Sequence, residues 1–172
     1  AFSIEDQAIR INKNNQEIGL YQIETNHREV QGWTQPLWRA EGRGKAILLC
    51  SKLPGQRVFL LSIEEEKGTP SSFSISPSYL FYPEDTHTPE VNNLPPPFAR
   101  FAQSDEGGRF INHEFEFQLI EVNNDFAIRE NQFWVGIDEL KRILSTSNLC
   151  NIQLRGLCSL LIEQLNPMIF EA

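Results

Sequence analysis

Cysteine is scarce: Cys50, Cys150 and Cys158 are the three in a chain of 172 residues. The number is odd and no two stand at CxxC spacing, so neither a disulfide framework nor a thiolate zinc site is expected. Histidine is as sparse, with His27, His87 and His113 far apart, which leaves a zinc site little support. No apolar run is long enough to cross a bilayer, and the opening Ala1-Phe2-Ser3-Ile4-Glu5-Asp6 lacks the basic stretch and apolar core of a signal peptide. Basic residues are outnumbered, Lys+Arg 15 against Asp+Glu 23, for a formal net charge of −8. Such a chain binds nucleic acid and anionic membranes poorly without specificity, although a local basic pocket for a phosphorylated small molecule remains open. No GxSxG, P-loop, GxGxxG or HExxH pattern occurs. The expectation is a cytoplasmic protein with no nucleic-acid or membrane partner.

What is present fits one globular domain over residues 1–172, with 40% apolar and 22% charged residues. Repeats, low-complexity tracts and an inter-domain linker are not evident. Ser3-Ile4-Glu5-Asp6 has the form of a capping box and predicts a short helix. Asn12 to Asn15 reads as a turn. Strands are predicted at Leu20–Glu24, Lys45–Cys50 and Arg57–Ile63, the last two joined by Pro54-Gly55-Gln56 as a hairpin. Both hairpin strands are too continuously apolar for a wet face and are expected to be covered on both sides. Glu64 to Pro97, rich in proline, reads as irregular, with Ser72–Ser76 alternating as a strand inside it. Glu114 to Val122 also alternates, pointing Phe115, Phe117, Leu119 and Glu121 one way. Ile137, Leu140, Ile143 and Leu144 then share a helical face, as do Leu154, Leu157, Cys158, Leu161 and Leu165. Asn151 suits the N-cap of the second helix, and Pro167 is expected to follow its end. The class is α+β: a mixed or antiparallel sheet with packed C-terminal helices.

Three clusters carry groups that could do chemistry. Asn26 to Trp38 combines two indoles with Arg28, His27, Gln31 and Gln35, which suits a ring-stacking pocket. The plainer alternative makes Trp33 and Trp38 core anchors and pairs Arg28 with Glu29 or Glu24. Ser104-Asp105-Glu106-Gly107-Gly108-Arg109-Phe110 places an arginine behind a glycine pair. The backbone there can approach a ligand closely and Arg109 can grip a phosphate, or the stretch is a hairpin loop with a solvated arginine. His113-Glu114 offers a histidine beside a carboxylate, although neighbours on a strand face opposite ways. His87 falls in the proline-rich stretch and is expected to be solvated. Cys158 lies on the apolar helix face and reads as core. Glu64-Glu65-Glu66 reads as a solvated strand end.

Taken jointly, these motifs resemble one family. Arg28-Glu29-Val30-Gln31-Gly32-Trp33-Thr34-Gln35-Pro36-Leu37 is similar to the Arg-Glu-Val-x-x-Trp-x-Gln-Pro-Leu signature of NDP-hexose 2,3-dehydratases, which act on NDP-4-keto-6-deoxyhexoses. Further along, Glu66-Lys67-Gly68 resembles the family's Glu-Pro-Gly, and Ile75-Ser76-Pro77-Ser78 the start of its Ser-Pro-Thr-Val-Gln stretch. Gln103-Ser104-Asp105-Glu106-Gly107-Gly108-Arg109-Phe110 resembles its Gln-Ser-Glu-x-Gly-Gly-Arg-Phe. Trp134 with Leu140, then Asn151, Arg155 and Leu157, resemble its two helical motifs. The likeness spans about residues 24–165 and implies a Nudix-like α+β module. The Nudix metal box is missing, since Arg28-Glu29 runs into Val30-Gln31-Gly32-Trp33. Leu80 stands where the family carries glutamine. Family enzymes hold two modules in tandem, and a homodimer of one-module chains can imitate that arrangement.

The resemblance implies a carbon–oxygen lyase that needs no cofactor and no metal. A base removes the C3 proton, made acidic by the C4 ketone; an enolate forms, and the C2 hydroxyl leaves with help from an acid. On this reading Trp33 stacks on a ring, Arg28 and Arg109 hold the diphosphate or polarise an oxygen, and Gln35 and Ser104 hydrogen-bond the ligand. Glu106 and His113 are the base and acid, in either order. The expected ligand is a nucleotide sugar or a related keto compound. The alternatives are a non-catalytic nucleotide-sugar binder, or one subunit of a two-module dehydratase, and a scaffold using the fold alone. Trp33, Gln35 and Gly107-Gly108-Arg109 standing together speak against the scaffold.

Overall fold

The structure, a computed structural model, describes residues 2–5, 8–11, 16–26, 29, 32–40, 42–67, 70–83, 85, 89–104, 109–111 and 113–169, with side chains except at 2–16, 40, 160 and 162–169. In chain order the strands are β1 (Phe2–Glu5), β2 (Ala8–Ile11), β3 (Gln16–Glu24), β4 (Gly32–Ala40), β5 (Gly44–Leu53), β6 (Gln56–Glu65), β7 (Phe73–Pro77) and β8 (Tyr79–Phe81). A short helix α1 (Pro89–Asn92) precedes β9 (Ala99–Ser104), β10 (Phe110–Ile111), β11 (Glu114–Glu121) and β12 (Gln132–Gly136), and the chain closes with α2 (Ile137–Ser145) and α3 (Ile152–Ile169). Two compact units emerge: Ala1–Gly44 with Tyr82–Thr86 and Ala102–Phe115, and Lys45–Phe81 with His87–Phe101 and Glu116–Ala172.

The first unit carries a five-stranded sheet in the order β1-β2-β3-β4-β10. β1 to β4 form an antiparallel meander, and β10 joins β4 in parallel through Phe110↔Trp38 and Ile111↔Arg39. The helix predicted at Ser3–Asp6 does not form. Phe2 to Glu5 instead pairs in register with Ile11 to Ala8. A capping box is a local side-chain preference, whereas a hairpin ladder satisfies the backbone of both segments at once. The turn expected at Asn12–Asn15 lies outside the described residues. β4, which was not predicted as a strand, holds a proline opposite Leu20. Its neighbour Trp38 donates its backbone N–H toward β10, to the Arg109 carbonyl at 2.8 Å. By the two-residue repeat, position 36 would aim its N–H at the same edge, where the pairing with β10 covers Trp38 and Arg39 among the described residues.

Most of the second unit's strands lie in a sheet of order β12-β6-β5-β11-β9, with β7 on β6 and β8 on β5. The expected hairpin is present: Pro54-Gly55 turns the chain, and Gly55 takes φ +77, a left-handed conformation that a side chain would strain. β5 and β6 pair from Leu53↔Gln56 to Leu49↔Leu60 and then part. Residues 73–81 enter the fork, β8 lying along Lys45–Ile47 and β7 along Leu61–Glu65. Ser78 sits at its apex, where its Oγ accepts the Leu49 N–H at 2.7 Å and donates to the Leu60 carbonyl at 2.6 Å. The proline-rich stretch is therefore more ordered than expected. Its Ser72–Ser76 alternation becomes β7, and a second strand follows at once.

Apolar burial explains the rest of this unit. Ile47, Leu49, Leu60, Tyr79, Phe81, Ile120 and Val122 form one core cluster, with Leu94, Phe126 and Trp134 packed on it. β5 and β6 are covered on both faces, as their composition predicts. β11 buries Phe115, Phe117 and Leu119 as expected, but Gln118 and Ile120 are buried too. Glu121 is exposed and faces Lys52 and Arg57 at 3.5 and 3.3 Å. Leu140 and Ile143 of α2, and Leu154, Leu157, Cys158 and Leu161 of α3, supply the predicted helical faces. Asn151 caps α3: its Oδ1 accepts the Leu154 N–H at 2.9 Å. α3 runs through Pro167 to Ile169 rather than ending before it. A proline near a helix end keeps a helical φ and removes one backbone bond. Mixed sheets with a few helices bear out the α+β class.

Candidate functional site

Paired residues of antiparallel strands share a face, so the register of β3 and β4 sorts their side chains. Glu17, Gly19, Tyr21 and Ile23 stand on one face opposite Arg39, Leu37, Gln35 and Trp33. Ile18, Leu20, Gln22 and Glu24 occupy the other, with Trp38, Pro36, Thr34 and Gly32. Trp33 and Gln35 therefore come together. The indole Nε1 donates to Gln35 Oε1 at 2.8 Å, and both side chains are half-buried. Trp38 is half-buried on the opposite face and backs onto Phe110 of β10, so the two indoles do not form one stacking pocket.

Three residues on the Trp33–Gln35 face were not anticipated. Tyr21 stands directly across from Gln35. Its hydroxyl donates to Glu17 Oε1 at 3.2 Å, and Arg39 Nη1 reaches the same oxygen at 3.4 Å. The Tyr21 ring lies over Gly19: a Cβ there would come within 2.7 Å of Tyr21 Cε2. Spacing along each strand is readable from sequence, but which residues meet across strands is set by register, so this row had no signal of its own.

Ser104 ends β9 and is exposed. Arg109 is exposed, and its carbonyl holds Trp38. His113 is only 6% exposed. Its ring stacks on Phe110 at 5.1 Å between centroids and meets Phe115 edge-on at 5.4 Å. His113 immediately precedes β11, and the neighbouring Glu114 carboxylate, the first residue of that strand, is engaged by Arg43 Nη2 at 2.6 Å. Arg28 and Glu106, like His27 and His87, lie outside the described residues. Ser104, Arg109, His113, Trp33 and Gln35 all belong to the first unit. Among the described residues, no group of three or more His, Cys, Asp or Glu is placed to hold a metal.

Several motif residues of the second unit have structural roles. Arg155 donates to the carbonyls of Leu144 and Thr146 at 2.7 and 3.2 Å, closing the C-terminus of α2. Asn151 Nδ2 donates to Ser76 Oγ, and Asn151 N–H bonds the Ile75 carbonyl at 3.0 Å. Leu80, noted above as a departure from the family motif, is half-buried opposite Ala46. The thiols are core groups: burial pushes Cys158 up to about 12, and neighbouring Cys150 adds to it. Burial also raises Cys50, although Arg57 beside it pulls the other way. Glu64 and Glu65 are exposed at the end of β6, as expected.

The family model described as NDP-hexose 2,3-dehydratase matches residues 2–161. A dTDP-4-dehydro-6-deoxy-alpha-D-glucopyranose 2,3-dehydratase of Saccharopolyspora spinosa is 30% identical over 149 residues, covering 78% of this chain and 31% of that protein. One of the same name from Streptomyces violaceoruber is 27% identical over 154 residues, covering 78% and 33%. The chain thus spans about a third of the length of these relatives. Among solved structures, an ADP compounds hydrolase superposes with a TM-score of 0.55 at 13% identity, covering 98% of this chain and 93% of that one. This likeness concerns the fold alone and supports the Nudix-like class.

Proposed function

The chain belongs to the NDP-hexose 2,3-dehydratase family, and on that premise we propose that it is a carbon–oxygen lyase module acting on an NDP-4-keto-6-deoxyhexose. The observation that carries the proposal is the Trp33–Gln35 pair. Two residues of the family signature are joined at 2.8 Å on one face of β4. An indole edge fixed by a side-chain amide presents a flat apolar surface beside a polar group, which suits a sugar ring or a base.

In this proposal Arg28 and Arg109 bind the diphosphate, Arg109 from an exposed position where its guanidinium meets a phosphate without desolvation by the core. Ser104 and Gln35 hydrogen-bond the ligand. Glu106 and His113 move the two protons. One takes the C3 proton and the electron pair delocalises onto the C4 oxygen; the other protonates the C2 hydroxyl, which leaves as water while the enolate electrons form a C2=C3 double bond. The Phe110 and Phe115 rings fix the orientation of the His113 imidazole. In this proposal the module pairs with a second copy of itself as a homodimer.

The test is a thermal-shift panel with dTDP, UDP, GDP and their hexoses, followed by incubation with the matching 4-keto-6-deoxyhexose and mass detection of water loss. A ligand at ~100 times its dissociation constant stabilises by about 2.7 kcal/mol. Water loss supports the proposal, and Arg109→Ala is expected to remove the shift. Binding without water loss assigns a nucleotide-sugar binding role instead. Absence of any shift overturns the reading.

A further inference from the structure

The Tyr21–Glu17–Arg39 row lies on the same face as Trp33 and Gln35, and none of its members belongs to a motif recognised in the sequence. Four features mark it as a built arrangement. Tyr21 pairs directly with Gln35, so a ligand seated on the Trp33–Gln35 pair is flanked by the phenol. The phenol hydrogen is directed at Glu17 Oε1. Glu17 is held in turn by Arg39 from the neighbouring strand, although that arginine is half exposed. Gly19, the residue between them on this face, leaves the space that the Tyr21 ring occupies.

A phenol whose hydrogen is directed at a carboxylate keeps an oxygen lone pair for a second partner. That second partner must be a donor, and a sugar hydroxyl supplies one. A hydroxyl held as an acceptor beside an indole and an amide is the arrangement that reads a pyranose: the ring rests on the apolar surface and its hydroxyls meet fixed acceptors. A diphosphate has no donor to offer.

We infer that Tyr21 is a specificity-determining contact for a hydroxyl of the hexose moiety, oriented by Glu17 and given room by Gly19. This rests on the nucleotide-sugar reading above. It goes further by assigning hexose recognition, as distinct from nucleotide recognition, to the β3 side of the face.

The experiment is calorimetric titration of the protein with dTDP-glucose and, separately, with dTDP. For Tyr21→Phe, affinity for dTDP-glucose is expected to fall about three- to tenfold while affinity for dTDP is unchanged, the size of one neutral hydrogen bond. Gly19→Ala keeps every polar group but drives the Tyr21 ring from its place, and should reproduce that selective loss. Glu17→Ala should do the same, whereas Glu17→Gln, whose amide oxygen still accepts from the phenol, should restore most of the affinity. Gln22→Ala, on the opposite face, should change neither titration. Unchanged dTDP-glucose affinity in Tyr21→Phe and Gly19→Ala overturns the inference while leaving the nucleotide-sugar reading intact. An equal loss for both ligands marks a structural role and also overturns it. A wild-type protein that binds neither these ligands nor UDP, GDP and their glucose conjugates removes both readings together.

Discussion

Ser78, between β7 and β8, ties β5 to β6 through one hydroxyl. At Leu49↔Leu60, the last pair before β5 and β6 separate, the Leu49 N–H and the Leu60 carbonyl both bond Ser78 Oγ. The Ser78 carbonyl in turn accepts from Gln132 at 2.7 Å, so the site is closed on every side. Ser78→Ala leaves a buried donor and a buried acceptor unmet. The expected cost is about 2–4 kcal/mol, seen as a lower urea midpoint at unchanged slope. The sequence marked Ser78 through a family likeness and said nothing of this role, because a fork has no local signature. The candidate site divides the same way. Trp33 and Gln35 were legible as members of one motif, but their pairing on one face was not, because β4 was not predicted as a strand. Tyr21 was legible only as a strand residue. Its place opposite Gln35 needed the register of two strands, which depends on the whole hairpin between them.

At the level of elements, the two C-terminal helices were the most readable part of the chain, because apolar residues every three to four positions have no other good solution. Their junction shows why single polar residues recur there. Asn151 caps α3 with its oxygen and reaches Ser76 with its nitrogen, while Arg155, one turn later, closes α2. Loss of an N-cap costs about 0.5–2 kcal/mol. Asn151→Ala is therefore expected to destabilise by about that amount, with faster amide exchange concentrated in the first turn of α3 around Leu154. An exchange profile that speeds up evenly along the chain would contradict a capping role. The opening strands were misread for the converse reason. Four residues that match a capping box hold no information about a partner segment, and the partner Ala8–Ile11 decided the outcome. β4 was passed over because its proline and indoles obscure alternation. A proline is tolerated in an edge strand where its missing N–H costs no ladder bond.

For the molecule as a whole, the thiols and one phenol set an alkaline limit. Cys158 sits near 12, and Cys50, Cys150 and Tyr79 are raised by burial as well. Below the ordinary thiol value of 9.0 the folded and unfolded chains are both protonated at these cysteines, and their contribution to stability is complete. Between 9.0 and about 12 the unfolded chain releases protons that the folded chain still holds, so stability falls as pH rises. Urea midpoints at pH 8 and pH 10.5 are expected to show this fall, and Cys158→Ala to show a smaller one from a lower starting stability. An identical pH slope in the variant would place the alkaline loss elsewhere. For the same reason iodoacetamide should label Cys158 only on unfolding.

By itself, the sequence determined the class, the family, the central hairpin and the two helices. These rest on short-range periodicity, on a two-residue turn, and on motifs that keep their order along the chain. The tertiary structure decided how β7 and β8 split the hairpin, which carboxylate meets which cation, that His113 is packed between phenylalanine rings, and that Tyr21 and Glu17 share a face with Trp33 and Gln35. The physical reason is common to all of these. Each depends on the register between segments far apart in the chain, and register is chosen by the summed burial and hydrogen bonding of whole strands rather than by the residues that end up side by side.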